Sequence, residues 1–222
     1  MIVAIDGPSG VGKSTVGKAL AARLGLVYLD TGAMYRAVGL AARRHGVTLP
    51  IADPGSVAAI AERVTVTVAG SVENPRTFLD GEDVSKEIRT PEISMFASAV
   101  SAVPAVRRRL AGMQRQLALT SGGVLEGRDI GTRVVPETQH KFFLTARPEV
   151  RATRRTLELA ARGSPEPFEK VLAEMEARDR ADATRTDSPL THDETYVVID
   201  TSDLGVDEVV EALLRHVRPA VG

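Results

Sequence analysis

The sequence contains no cysteine and no tryptophan, and aromatic residues make up only 4% of its 222 residues. The lack of cysteine excludes disulfides, thiolate chemistry and cysteine-bound metal sites. Lysine is scarce too, with five residues against 23 arginines, although the formal net charge is only −1. This neutral balance argues against a general nucleic-acid-binding protein and against a membrane-surface protein. The arginine surplus fits either a codon bias of the genome or sites that bind phosphate groups.

Long apolar runs are missing as well, since none is long enough to span a bilayer. The short apolar run Ile2–Ile5 leads directly into a glycine-rich loop, which is not the pattern of a signal peptide. We therefore expect a cytoplasmic protein with no membrane and no nucleic-acid partner, and we expect a monomer. The hydrophobic content of 43% is normal for a globular chain with a substantial core.

The first motif follows that apolar run, where Gly7–Ser14 fits the pattern G-x-x-x-x-G-K-[ST]. A helical pattern comes next, which is the context that a phosphate-binding P-loop requires. Lys13 would reach the β- and γ-phosphates of a nucleoside triphosphate, and the Ser14 hydroxyl would bind Mg²⁺. A glycine-rich turn without a ligand is the alternative. The predicted ATP-binding residues are Gly7, Pro8, Ser9, Gly10, Val11, Gly12, Lys13, Ser14 and Thr15.

Apolar, β-rich runs alternate with helical patterns along the chain, which predicts an α/β fold with a doubly wound parallel sheet. From Arg63 onward a strictly alternating segment and the turn Asp80-Gly81 break this rhythm and predict a small antiparallel insert. The β-rich runs are Ile2–Ile5, Val27–Leu29, Val124–Leu125, Phe142–Leu144 and Val197–Ile199.

Two motifs stand at the predicted carboxyl ends of strands, where ligands bind in open α/β sheets. In the first motif, residues 30–36, Thr31 is expected to cap the following helix and Arg36 lies about one turn inside it. In the second, residues 126–132, we expect Arg128 to hold a phosphate and Asp129 to accept from a base amino group. Glu126 would be the carboxylate nearest the water shell of Mg²⁺. An ordinary helix cap and a surface salt bridge are the alternatives.

Two predicted helices carry arginines on one face. They flank the loop Gly163–Pro167, which we interpret as a hinge. A mobile lid that brings arginines to a transferring phosphoryl group would have this pattern, and solvated charge stripes are the alternative. The residues concerned are Arg151, Arg154 and Arg155 on the first helix, and Arg178, Asp182 and Arg185 on the second.

Taken together, the motifs resemble those of bacterial cytidylate kinases, in the nucleoside monophosphate kinase group. The resemblance covers essentially the whole chain. Within the β insert, the element DGEDVSKEIRT is the most specific, because shorter relatives such as adenylate kinases lack it. The matching segments are IDGPSGVGKST, DTGAMYR, LDGEDVSKEIRTPEIS, ASAVSAVPAVRRRL, EGRDIGT and RDRADATR.

The resemblance implies a P-loop core with a doubly wound parallel sheet, a helical lid and a small antiparallel β insert. It divides the single kinase unit 1–222 into three parts. The core comprises residues 1–36, 120–147 and 190–222. The monophosphate-binding region comprises residues 37–119, with the β insert at about 63–90, and the lid region comprises residues 148–189.

Site roles follow from the resemblance by position. The implied CMP-binding residues fall into four groups: Thr31, where many relatives carry serine; a phosphate clamp of Arg36, Arg128 and Arg185; cytosine contacts from Ser98, Arg107 and Asp129; and sugar contacts from Arg178 and Asp182. Arg151, Arg154 and Arg155 are implied to face ATP and its γ-phosphate. The implied catalytic residues are Lys13, Arg128, Arg151, Arg154, Arg155 and Arg185.

The implied reaction moves the γ-phosphoryl of ATP in line onto CMP or dCMP, with Mg²⁺ as cofactor. No general base is required, because the acceptor phosphate is already largely a dianion at neutral pH. One alternative is another small-acceptor P-loop kinase, for UMP, dTMP or a shikimate-like hydroxyl. The other is a non-enzymatic nucleotide-binding module such as a GTP-dependent switch, although the sequence lacks an Asn/Thr-Lys-x-Asp motif for reading guanine.

Overall fold

The computed structural model of the protein describes residues 1–185 and 187–217. Within these residues, eight strands are distributed over a parallel sheet and a separate antiparallel sheet. The strands are β1 Ile2–Asp6, β2 Tyr28–Asp30, β3 Val66–Gly70, β4 Pro75–Leu79, β5 Glu82–Asp83, β6 Gly123–Gly127, β7 His140–Thr145 and β8 Val197–Asp200. The helices are α1 Lys13–Leu24, α2 Thr31–Arg44, α3 Pro54–Arg63, α4 Pro91–Ser101, α5 Pro104–Ser121, α6 Pro148–Ala161, α7 Phe168–Thr184 and α8 Val206–Leu214. The predicted fold class is confirmed.

The parallel sheet has the strand order β2-β6-β1-β7-β8, so β1 lies at its centre. Val3, Ala4 and Ile5 of β1 are fully buried, which explains why this strand reads as a continuous apolar run. In register, Asp6 lies opposite Gly127 and Asp30 lies opposite Glu126. The carboxyl ends of β1, β2 and β6 therefore meet at one edge of the sheet, and acidic side chains stand there.

The loop between β1 and α1 depends on glycine at its ends. A Cβ on Gly7 would lie 2.2 Å from the carbonyl oxygen of Leu144, so the strand end and β7 are in direct backbone contact. Gly12 takes the left-handed conformation with a φ of 94° and is followed by the first residue of α1. The loop is thus held against the sheet at one end and opens onto the helix N-terminus at the other.

The antiparallel sheet has the order β3-β4-β5 and packs with α2 to α5 around a second apolar core. Its tight turn uses left-handed backbone at Asp80 and Gly81, as the sequence predicted. The predicted alternation from Arg63 begins too early, because α3 continues to Arg63 and β3 starts at Val66. Three residues of apparent alternation thus belong to the helix end and the connection.

Helices α2 and α4 cross at very short range. A Cβ on Gly39 would lie 2.9 Å from the backbone nitrogen of Ala97, so only glycine permits this approach. A small apolar cluster between α6 and α7 forms a separate unit, consisting of Ala152, Leu159, Val171 and Met175.

The boundaries that the sequence suggests for core, monophosphate-binding region and lid stay a prediction. Residue 186 of the lid range and residues 218–222 of the core range lie outside the described residues. Across residues 1–185 and 187–217, no helix combines the length and apolarity that crossing a membrane demands.

Candidate active site

The P-loop encloses the side chain of Lys13. Its Nζ donates to the carbonyl oxygens of Gly7 at 2.8 Å and Pro8 at 2.6 Å, and the side chain is buried. Burial lowers the pKa of the Lys13 ammonium well below its usual value, and the nearby Arg128 guanidinium acts in the same direction. Ser14 and Thr15 remain exposed in the first turn of α1. Helix N-terminus and loop amides together form a site for a phosphate chain.

Glu126 lies buried at the end of β6, beside the P-loop. The Tyr28 hydroxyl donates a short hydrogen bond to its Oε1 atom. Burial raises the pKa of Glu126, and the charge of Asp30 adds to this rise, whereas Lys13 and a hydrogen bond with the Ser14 hydroxyl oppose it. A carboxylate and a hydroxyl oxygen are therefore neighbours at the mouth of the loop.

These oxygen atoms fit Mg²⁺, which takes hard oxygen ligands. Among residues 1–185 and 187–217 there is no cluster of three or more His, Cys, Asp or Glu side chains that would enclose a metal ion alone. A bound ion would thus need phosphate oxygens and water in addition, as Mg²⁺ does at sites of phosphoryl transfer.

Residues 30–36, the motif after β2, form the start of α2 and its cap. Asp30 is the N-cap residue, because its carboxylate accepts from the Ala33 amide at 2.9 Å. The prediction that Thr31 caps this helix is therefore wrong: Thr31 is the first helical residue, and its hydroxyl donates to the Glu126 carbonyl at 2.6 Å. Arg36 forms a 2.7 Å ion pair with Asp30 one turn into the helix.

A buried carboxylate, Asp182, lies between two arginines. Asp182 accepts from Arg128 Nε and from Arg185 Nη1, each at 3.0 Å. Burial opposes ionisation of Asp182, but the surrounding guanidinium groups, Arg128 foremost, hold its pKa below the usual value. Arg128 also donates to the Ser9 hydroxyl at 3.0 Å, which ties this cluster to the P-loop.

Arg178 adds a further buried cation to this cluster. Burial and the charge of Arg128 lower the pKa of Arg178 to about 10. Its Nε atom has no hydrogen-bond partner among the described residues, and the same is true of Nε in Arg36, Arg107 and Arg185. Unpartnered buried donors with surplus positive charge indicate a site for an anionic ligand.

Arg107 and Asp129 form a second buried pair, with Arg107 Nη2 2.5 Å from Asp129 Oδ2. The Arg107 guanidinium also lies 5.5 Å from the Tyr35 ring centroid and donates to the Ser101 carbonyl at 3.3 Å. Ser98 lies half-buried on α4, and its carbonyl accepts from the Ser101 hydroxyl. Of the three predicted cytosine contacts, Arg107 and Asp129 therefore touch each other, and Ser98 is connected to Arg107 only through Ser101. The neighbouring Arg108 is mostly exposed.

The arginines of α6 separate into three different environments. Arg151 is buried, donates to the Ser9 carbonyl at 3.2 Å and pairs closely with Asp179. Arg154 donates to the Thr201 carbonyl at 2.6 Å, in the loop after β8. Arg155 forms a helical surface pair with Glu158 at 2.8 Å. Arg151 therefore contacts the P-loop directly, whereas Arg155 pairs within its own helix. Arg154 is connected to the P-loop through Thr201, whose hydroxyl donates to the Val11 carbonyl at 3.0 Å.

Two acidic residues of the site were not identified from the sequence. Asp179 accepts from Arg151 and, at 3.4 Å, from the backbone amide of Ser9. Asp6, at the end of β1, is fully buried and accepts three hydrogen bonds, two of them from the turn after Asp129. The signal for Asp6 was present as an acidic residue that ends an apolar strand directly before the P-loop.

Comparison with known proteins gives a consistent result. A family model described as cytidylate kinase matches residues 3–219. The cytidylate kinase of Mycobacterium leprae (strain Br4923) is 49% identical over 223 residues, covering 100% of this chain and 97% of that protein. The cytidylate kinase of Syntrophotalea carbinolica is 48% identical, covering 98% of this chain and 92% of that protein.

Among solved structures, an uncharacterized protein from Eubacterium ventriosum ATCC 27560 is similar with a TM-score of 0.52. The match covers 98% of this chain and 97% of that chain at 13% sequence identity. At this level of identity the likeness concerns the fold alone.

Proposed function

The chain belongs to the cytidylate kinase family, and from this membership we propose that it is an enzyme that transfers the γ-phosphoryl group of ATP to CMP and dCMP. The products are ADP and CDP or dCDP. The observation that carries the proposal is the cluster of partly buried arginines beside the P-loop, with buried Nε atoms that lack partners at Arg36, Arg178 and Arg185. A second anionic group beside the triphosphate satisfies such a cluster.

On the donor side, we propose that the loop Gly7–Thr15 binds the triphosphate of ATP. Lys13 now donates to two loop carbonyls, and the phosphates would replace these acceptors. Arg151 already contacts the Ser9 carbonyl, which supports a role near the transferring group. Arg154 is connected to the loop through Thr201 and would exchange Thr201 for ATP. Arg155 would have to exchange Glu158 for ATP.

On the acceptor side, Arg36, Arg128 and Arg185 would clamp the phosphate of CMP. Their guanidinium groups now pair with Asp30 and Asp182, so they are held in the cleft before the substrate arrives. Alignment of the two phosphates and neutralisation of their charge are what phosphoryl transfer needs from a protein. Arg178 and Asp182 would contact the sugar, and Thr31 completes the acceptor side.

Base selectivity would come from Asp129, with Arg107 and Ser98 beside it. A buried carboxylate accepts from the exocyclic amino group of cytosine and repels the carbonyl oxygen that uracil carries in its place. Arg107 Nη2 lies 2.5 Å from Asp129 Oδ2, and this pairing orients the carboxylate.

Mg²⁺ is the metal that these residues fit, with Ser14 as a direct ligand and Glu126 acting through water. A bound ion held by these residues would withdraw charge from the transferring phosphoryl group. The protein's own part is to present the Ser14 hydroxyl and to keep Glu126 beside it, held by the Tyr28 hydroxyl. We expect the enzyme to act as a cytoplasmic monomer on small-molecule substrates.

A coupled assay of ADP release tests the proposal. With Mg-ATP as donor, we expect turnover with CMP and dCMP and much weaker turnover with UMP, AMP, dTMP and shikimate. Lys13→Ala should lower kcat by at least about a hundredfold, because it removes a charge from the transferring phosphate. Lys18→Ala is the matched control, since Lys18 lies on the same helix beside the Tyr28 ring, outside the loop. Equal rates with CMP and UMP, or a Lys13 variant as active as the control, would contradict the proposal.

The alternative functions are not favoured. A kinase for another small acceptor does not explain the β insert together with the residues 126–132, and a non-enzymatic nucleotide-binding module does not explain the arginine cluster. Turnover of UMP, dTMP or shikimate in place of CMP in the same assay would support a kinase for another acceptor. No turnover with any acceptor would support a non-enzymatic nucleotide-binding module.

A further inference from the structure

Asp6 connects the start of the P-loop to the turn that follows Asp129. It is the last residue of β1, directly precedes the P-loop and is fully buried. One carboxylate oxygen accepts from the Ile130 amide and the other from the Gly131 amide, each at 2.9 Å. The Tyr196 hydroxyl donates to the second oxygen at 2.8 Å. A single carboxylate thus binds two consecutive backbone amides that lie far away in the sequence.

The turn that Asp6 holds begins directly after Arg128 and Asp129. It is a π-helical turn, Ile130–Val134, and it is tightly packed, since a Cβ on Gly131 would lie 2.5 Å from the Tyr196 hydroxyl. The strand end that carries Asp6 is equally fixed, because Gly7 contacts the backbone of β7. Position and orientation of Asp129 therefore depend on a rigid anchor at the start of the P-loop.

We propose that Asp6 is a positioning residue for base selectivity, which holds Asp129 in place through the amides of Ile130 and Gly131. This inference rests on the proposed function, because it takes Asp129 as the residue that reads cytosine. Asp6 itself touches neither nucleotide in this account. It acts through the turn, and the effect appears as a choice between pyrimidines.

The contact requires a carboxylate. Both backbone amides are donors, and a carboxylate offers each of them its own oxygen atom. Asparagine has one acceptor oxygen, so its amide group would face one of the two N–H groups and the turn would have to shift. Burial raises the pKa of Asp6 to about 6, and the charge of Asp129 acts in the same direction, whereas the Ile130 and Gly131 amides lower it.

The test compares Asp6→Asn with Tyr196→Phe in the ADP-release assay. We expect Asp6→Asn to lower the ratio of kcat/KM for CMP to that for UMP by about tenfold, while KM for ATP changes less than about threefold, because only the base-reading carboxylate is displaced. Tyr196→Phe removes one of the three donors and leaves both amides bound, so we expect a fall of about twofold to threefold in the same ratio.

A structural role alone would lower kcat/KM for both nucleotides equally. An unchanged ratio in Asp6→Asn, with or without a change in KM for ATP, would therefore overturn the inference. Thermal denaturation establishes that each variant is folded at the assay temperature. If Asp6→Asn does not fold, Tyr196→Phe decides, and a ratio equal to that of the wild type would then overturn the inference.

Two further arms separate this inference from the proposed function. Wild-type enzyme without preference for CMP over UMP would refute the proposed function itself. A wild-type preference that persists in Asp6→Asn would refute only the positioning role. In a variant with both Asp6→Asn and Asp129→Asn, we expect no loss of selectivity beyond that of Asp129→Asn alone, because both changes act on one carboxylate.

Discussion

Replacing Asp129 with asparagine tests the buried pair on which base selectivity is proposed to depend. The side chains of Arg107 and Asp129 are 4% and 8% exposed, and their closest atoms are 2.5 Å apart. Removing one partner of a buried ion pair costs about 3–5 kcal/mol, because the other charge is left without compensation. Asparagine keeps one acceptor, so we expect the free energy of unfolding to fall by about 2–4 kcal/mol.

Urea denaturation at pH 7, without nucleotides, measures this effect. A double-mutant cycle with Arg107→Met isolates the pair, and we expect a coupling energy above about 1.5 kcal/mol. Glu92→Gln is the matched control, since Glu92 pairs with Arg43 at 2.8 Å on the surface and both side chains are about half exposed. That exposed pair should contribute far less.

The same Asp129 variant should also lose selectivity. An asparagine amide donates to the uracil oxygen that the carboxylate repels, so the ratio of kcat/KM for CMP to that for UMP should fall. A variant as stable as the Glu92 control would refute the energetic reasoning. An unchanged substrate ratio would refute the assignment of Asp129 as the reader of cytosine.

Three further predictions concern the acceptor phosphate, pH and packing. Arg185→Lys should raise KM for CMP by about tenfold or more and leave KM for ATP nearly unchanged, because a fork of donors becomes a point charge; equal losses for both substrates would contradict this. Since the pKa of Asp6 is raised to about 6, the folded state takes up this proton before the unfolded chain does. Urea titrations of wild type and Asp6→Asn should therefore show the wild type gaining about 2 kcal/mol relative to the variant from pH 7 to pH 4.5, and a constant difference would count against the raised pKa. Gly39→Ala should destabilise the fold by about 1–3 kcal/mol, because the added Cβ would meet Ala97 at 2.9 Å. Gly112→Ala, on an open face of α5, should not destabilise and serves as the control.

Much of the fold could be predicted from the sequence because its signals are local. The P-loop is defined by consecutive residues, and the buried parallel strands are short apolar runs that follow one another along the chain. The turn Asp80-Gly81 likewise specifies its own geometry. Strand β3 was placed too early because residues at the end of α3 continue an alternating pattern by chance, and the hydrogen bonds of the helix outweigh that pattern.

The partners of the charged residues could not be predicted in the same way. Arg151 and Arg154 share one helix face, yet one donates to the P-loop itself and the other is connected to it only through Thr201, because their surroundings come from different parts of the chain. Asp6 and Gly131 are 125 positions apart in the sequence and meet only because β1 and β6 are neighbours in the sheet. The cap of α2 was misplaced by one residue, since an aspartate and a threonine stand side by side and either can cap a helix.

We propose that two nucleotides meet phosphate to phosphate in one site lined by arginines. A bisubstrate compound that joins adenosine and cytidine through a pentaphosphate bridge would occupy both halves of this site, and steady-state inhibition against each substrate in turn measures its binding. We expect competition with both ATP and CMP, and a Kd below that of either nucleotide alone. Competition with only one of the two substrates would show that the nucleotides do not share one site.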